Sequence, residues 1–179
     1  MLVSGGLLGL DWGATPQAAT ERLGQAAVSG EIVRYPLDYV TAKLAAEDAF
    51  FPSALAPDRL RPDDALELSF AEDALVGARV RFGYAFRHLG QRSDSLSESA
   101  MTLLARGEFH GMIGEFTARY GAPSFITEEH VRLGNMHVVG SALFVAGDGG
   151  PVQLFLGHEA ASLAGEMRWL APVARGGGF

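Results

Sequence analysis

The sequence predicts an α+β fold: an antiparallel sheet of two or more hairpins, one long helix packed on a face, and shorter helices beside it. Three observations carry that prediction. In SLSESAMTLLARGEFHGMIGEFTARY, residues 95–120, Met101, Ala105, Phe109, Met112, Ile113, Phe116 and Tyr120 recur at steps of three and four, so one helical face is apolar. Residues 66–86 alternate apolar and polar with a period of two, the pattern of a half-buried hairpin. Residues 136–145 and 152–156 are apolar runs on either side of Gly147-Asp148-Gly149-Gly150, a turn sequence.

In chain order, residues 7–10 read as a short apolar strand leading into Asp11-Trp12-Gly13. Thr15-Pro16 then starts a helix, since Thr caps and Pro suits the first helical position. That helix covers 16–23 and stops at Gly24. Residues 32–40, IVRYPLDYV, are rich in β-formers, and Pro36 confines such a strand to a sheet edge or a bulge. Residues 41–50 read as a second short helix with Leu44, Ala45 and Phe51 inward, before Pro52, Pro57 and Pro62 mark an irregular connection.

In the first hairpin, Leu66, Leu68 and Phe70 alternate with Glu67 and Ser69, and Ala78, Val80, Phe82, Tyr84 and Phe86 alternate with Arg79, Arg81 and Arg87. With the turn near Glu72-Asp73 and centred near residue 74, Leu66 faces Phe82, Leu68 faces Val80 and Glu67 faces Arg81. The long helix opens on Ser95 and Glu98, spaced as a capping box, and ends at Gly121-Ala122-Pro123. Residues 124–133 form a strand or a loop. Both faces of the last hairpin are apolar, so it is central or covered on both sides. Ala160, Leu163, Ala164, Met167 and Leu170 then recur at helical spacing, predicting a final helix over 159–170 ahead of Pro172. Residues 175–179 are expected to be a loose tail on a single domain spanning 1–179.

A chain of 179 residues with 48% hydrophobic and 20% charged residues has globular composition, long enough to bury a core. The absence of cysteine excludes disulfides, thiolate metal sites and a cysteine nucleophile. The N-terminus lacks a basic region ahead of its glycine-broken apolar run, so no signal peptide is expected and the anticipated address is cytoplasmic. No apolar stretch reaches the roughly 18 residues of a membrane span. The net charge of −7 argues against nucleic acid. Eight acids, Glu47, Asp48, Asp58, Asp63, Asp64, Glu67, Glu72 and Asp73, stand against Arg59 and Arg61 in one block that holds nearly all of that charge. Such a block would steer and dock a basic protein partner, and its plainer reading is a solvated loop.

Catalytic signatures are missing: the sequence has no P-loop, no strand-helix G-x-G-x-x-G, no H-E-x-x-H and no G-x-S-x-G. No catalytic residue and no cofactor is therefore expected. Among five histidines, pairing Phe144 with Gln153 puts His158 opposite Val139 with His137 diagonal to it, and His130 and Glu159 lie nearby in sequence. A small ligand, a metal or a reaction could use such a pocket, but spacing this loose specifies no metal site, and strand-end histidines are the plainer reading. Arg79, Arg81, Arg87 and Arg92 form a basic strip whose neighbouring aromatics point to the other face, so they give no base-stacking platform. Adjacent carboxylates at Asp63-Asp64 and Glu128-Glu129 point apart and make no acid/base couple. On the long helix, Gly107, Gly111, Gly114 and Ala118 line the side behind the apolar stripe. Each glycine costs roughly 0.8–1.0 kcal/mol relative to Ala in a helix, so a covering element, the helix over 159–170, or a second copy of the chain is expected there.

The opening LGLDWGATPQAATERLG, with FTARYGAP further on, resembles a pattern in small bacterial α+β proteins. In these a Trp-Gly precedes a Ser/Thr-capped helix, and a longer helix ends in Tyr-Gly-x-Pro before a hairpin. Such layouts occur among immunity proteins of bacterial toxin systems and among BamE-like envelope domains. The resemblance implies a non-enzymatic binding protein, most specifically an immunity-type inhibitor that holds a basic toxin through the acidic block. An envelope domain would be expected to carry an export signal.

Overall fold

The computed structural model describes residues 2–3, 6–44, 53–56, 59–84, 96–128, 130–145, 150–159 and 162–172. In order, the elements are β1 (Leu2–Val3), β2 (Gly6–Leu7), α1 (Pro16–Leu23), β3 (Ala27–Ser29), β4 (Ile32–Pro36), α2 (Leu37–Leu44), a 3-10 turn at Ser53–Leu55, β5 (Ala65–Ala71) and β6 (Ala74–Tyr84). Then come α3 (Glu98–Tyr120), β7 (Phe125–Thr127), β8 (Val131–Leu133), β9 (Met136–Val145), β10 (Pro151–Glu159) and β11 (Ser162–Leu170). Mixed helix and sheet with one long helix is what the sequence predicts, but the sheet is larger than two hairpins. Among the described residues nine strands join in the order β3-β4-β5-β6-β11-β10-β9-β7, with β8 also on β9, and all these pairings are antiparallel. Two meanders, β3 to β6 and β9 to β11, meet along the β6–β11 seam.

The short helices form as their caps dictate. Thr15 accepts from the Ala18 N–H at 3.2 Å, Pro16 takes the first helical position, and α1 ends at Gly24 with φ +95°. Arg22 donates from Nε to the Leu8 carbonyl at 3.1 Å and ties the N-terminal segment to α1. Pro36 closes β4, and the second helix begins at Leu37 rather than at residue 41.

The cap of α3 differs from the expected box. Ser97 is the N-cap, accepting from the Ala100 N–H at 3.3 Å, and Glu98 is the first helical residue. Glu98 is therefore too early to close a box, which needs the acid at the third helical position. Ser95 lies outside the described residues. Met101, Ala105, Phe109, Met112 and Phe116 are buried as the periodicity requires, and each Met or Phe side chain among them contributes about 1.5–3 kcal/mol. The helix lands on the sheet where β9 has no side chain: a Cβ at Gly140 would meet the Phe109 ring at 2.6 Å.

The first hairpin keeps its predicted faces but not its register. Leu66 pairs with Val80, Leu68 with Ala78 and Glu67 with Arg79, two residues from the expected alignment. The loop is only Glu72-Asp73, both left-handed at φ +51° and +60°, and a bulge follows Ser69. Two-residue loops of this kind normally use Asn-Gly, so Glu-Asp gave no tight-turn signal. A shift of two residues leaves every side chain on its own face.

Residues 162–170 are a strand, not the predicted helix. Leu163, Met167 and Trp169 alternate onto the core side, and Glu166 and Arg168 point to the other. Gly165 interrupts that alternation, because the ring of Phe82, its partner on β6, fills the space a Cβ would need. No helix from this segment covers the glycine stripe of α3.

The buried apolar residues of α1, α2 and α3 join one core cluster on a single face of the sheet. The opposite face carries charged side chains and a small separate cluster of Met136, Val138 and Ala164, with Leu133 and Phe155 packed against it.

Candidate functional site

The acidic block is divided by the fold. Glu47, Asp48 and Asp58 lie outside the described residues. Asp64 is buried just ahead of β5, where it accepts from the Arg61 N–H at 2.9 Å and the Gly83 N–H at 3.0 Å. Burial raises its pKa above the ordinary carboxylate value, against the lowering effect of those two hydrogen bonds and of Arg61. Asp63, next to it, is exposed. Glu67 is held by Arg79, which donates to it from Nε at 2.9 Å and from Nη2. Glu72 and Asp73 stand at the far end of the hairpin, exposed. The seven residues of β5 lie between Asp64 and Glu72, and eight steps at ~3.3 Å put the two roughly 26 Å apart along the strand, so these acids form no single patch.

Two clefts result. At the hairpin tip a cleft of about 360 Å³ is lined by Glu31, Glu72 and Asp73 together with Val28, Val33, Phe70, Pro16, Gln17, Thr20 and Gly30. Its lining holds three carboxylates and no Lys or Arg, and Val28 is 71% exposed beside them. The cleft adjoins β3, whose contribution sequence reasoning missed because three exposed residues show no periodicity. The second cleft, about 310 Å³, lies at the other end of the hairpin and mixes Arg34, Arg61 and Arg81 with Asp63, Asp64 and Glu159. There the Arg61 guanidinium lies against Gly83, where a Cβ would stand 2.7 Å from it, and donates to the Leu163 carbonyl at 3.3 Å.

The histidines come closer together than their spacing suggested. A register shift at Leu156/Gly157 puts His158 directly opposite His137, not opposite Val139, with ring centroids 5.0 Å apart. Phe144 correspondingly pairs with Val152 rather than with Gln153. His130 joins from the β7–β8 connection, its Nδ1 3.3 Å from His137 Nε2. Helix α3 supplies the surroundings: Arg106 Nη2 is 3.1 Å from His130 Nε2, Glu98 is 3.2 Å from His137 Nδ1, and Thr102 is 3.4 Å from His158 Nε2. His110, also on α3, lies 3.3 Å from Glu128.

Tautomers follow from one fixed point. Arginine only donates, so His130 Nε2 must accept; His130 then donates through Nδ1 to His137 Nε2, and His137 through Nδ1 to Glu98. The result is a directed row of imidazoles running from a cation to a carboxylate. A metal does not fit it as arranged, because ligation by His130 Nδ1 would protonate Nε2 and turn it against the Arg106 donors. Among the described residues no group of three or more His, Asp and Glu is placed to hold an ion.

Gly107, Gly111 and Gly114 are exposed, and a Cβ at any of them would meet nothing within 4 Å. Among the described residues no helix is long and apolar enough to cross a membrane. No family model matches this chain, and no curated protein or solved structure matches it either.

Proposed function

We propose that the chain is a non-enzymatic binding protein, an immunity-type inhibitor that docks a basic toxin or another basic protein partner. The observation that carries this reading is the hairpin-tip cleft, where Glu31, Glu72 and Asp73 meet exposed Val28 without a cation in the lining. A Lys or Arg side chain suits such a place, its stem on the apolar wall and its head among carboxylates. Within the acidic block, Glu72 and Asp73 thus take the leading role, with exposed Asp63 a secondary contact at the opposite end.

Isothermal titration against the product of the neighbouring gene, at low salt, tests the reading. Replacing Glu72-Asp73 by Asn-Gly removes two charges while favouring the turn, so lost binding would not reflect lost folding. Binding by the wild type and a drop of roughly tenfold or more in the variant are expected. Absence of binding at low salt would sink the proposal.

A second reading, a small-ligand pocket or active site at His137 and His158, draws on the directed imidazole row, which could move a proton between Glu98 and His130. Its first test is the tautomer state: nitrogen NMR should find the proton on Nδ1 of both His130 and His137. A proton on Nε2 of either ring removes the row.

A further inference from the structure

The open face of the sheet has a charge arrangement unlike the rest of the chain. Pairing across the strands makes two continuous rows. One runs Arg34, Glu67, Arg79, Arg168, Gln153, Leu143, Phe125, and the next runs Ala65, Arg81, Glu166, Phe155, Ser141, Thr127. These rows hold four arginines against two glutamates, on a chain of net charge −7. Glu159 approaches Arg81 only at 3.9 Å.

One carboxylate serves two of the arginines. Glu166, whose side chain is 3% exposed, accepts from Arg168 Nε at 2.5 Å with one oxygen and faces Arg81 Nε at 3.4 Å with the other. Both contacts use the Nε edge, and Arg81 Nη2 lies 3.9 Å from Glu159 Oε1. Arg168 is further fixed by the Phe155 ring, 5.1 Å below its guanidinium carbon. Arg79, held by Glu67, stands directly across from Arg168, and like charges directly opposite destabilise a sheet unless an anion relieves them. Three arginines are thus pre-oriented on a bare surface, at 36–52% side-chain exposure. Three strands along the same face from Arg168 lies Phe125, 59% exposed, with Val145 on β9 also 59% exposed.

We propose that this face docks an acidic segment of a protein partner, its carboxylates taken by Arg79, Arg81 and Arg168 and its apolar side chains by Phe155 and Phe125. Planar forks suit carboxylates, and the apolar flank suits a peptide's aliphatic side chains better than a phosphate backbone. The surface is opposite in sign to the hairpin-tip cleft and stands independently of it.

Fluorescence anisotropy with a short labelled peptide of Asp, Glu, Leu and Phe, added to the full chain at low salt, tests this. The wild type should bind. The double variant Arg81→Gln/Arg168→Gln should bind at least roughly tenfold more weakly, since charge-assisted hydrogen bonds are lost. Arg168→Lys, which keeps the charge and loses the fork, should fall between them. Circular dichroism on each variant separates lost binding from lost folding. The proposal is overturned by no binding in the wild type, or by unchanged binding in a folded double variant. It is also overturned by equal binding of a poly-dT oligonucleotide that the same variants weaken, or by sedimentation showing that this face joins two copies of the chain.

Discussion

At the hairpin tip, Glu72 and Asp73 sit exposed in a left-handed turn, with a third acid, Glu31, and no cation lining the cleft they share. On the open sheet face Glu166 is 2% exposed and divided between Arg81 and Arg168, and Glu67 is held by Arg79. The same two chemistries, carboxylate and guanidinium, are therefore in opposite states: unmatched and unfavourably wound at one place, shared and ordering at the other. Net charge does not reveal this. A chain at −7 presents an acidic cleft and an arginine-rich face because pairing register, rather than composition, decides which charges remain available.

The largest effect expected from breaking this contrast is on the sheet. Glu166→Ala leaves two guanidinium groups without their common acceptor and should lower unfolding stability by about 2 kcal/mol in a urea titration, less than a fully buried pair because both arginines reach solvent. A change under about 0.5 kcal/mol, the scatter of ordinary surface substitutions, would mean that Glu166 is not the anchor. The tip should respond with the opposite sign. Glu72→Asn with Asp73→Gly should raise stability by about 1–2 kcal/mol, since glycine and asparagine occupy the left-handed region at less cost. A destabilised double variant would show that the acids are held by contacts within the fold.

The helix gives a smaller, third comparison. Gly111→Ala should stabilise by roughly 0.8–1.0 kcal/mol, because nothing approaches that position within 4 Å. If Gly107, Gly111 and Gly114 instead form a homodimer contact, alanine there should destabilise and sedimentation should show a dimer turning into monomer. The smallest effect concerns Asp64, whose pKa is raised by burial. The stability contributed by its protonated form is complete below the ordinary carboxylate pKa and is lost as pH rises through the raised folded value. Stability followed from acid towards neutral pH should show that declining contribution in the wild type and lose it in Asp64→Asn.

Much of the architecture was legible because side-chain period and caps are local. The apolar stripe of α3, Thr15-Pro16, and the alternation along β5 and β6 each state their element without help from distant residues. What was hidden depends on glycine and on pairing. Gly165 broke the alternation of β11 and let Leu163, Ala164 and Met167 imitate a helix, while Phe82 from another strand supplied the missing bulk. The glycines that mattered were likewise not the ones that drew notice. Gly107, Gly111 and Gly114 on α3 meet nothing, whereas Gly140 on β9 admits Phe109 and Gly157 admits the bulged backbone at His137. That bulge is also why His158 stands directly opposite His137, which no count along the sequence could place. The acidic block read as one feature only because its members are close in sequence. A strand separates Asp64 from Glu72, and burial removes Asp64 from the surface.

The most direct measurement is a nitrogen-15 NMR titration of the full chain at low salt with a short peptide of Lys, Arg and Val. Shifts should concentrate at Val28, Glu31, Glu72 and Asp73 and disappear in the Asn-Gly variant. Shifts that spare the tip and gather on α3 around Gly107 and Gly114, or that persist unchanged in the variant, would contradict the assignment of partner binding to the acidic cleft.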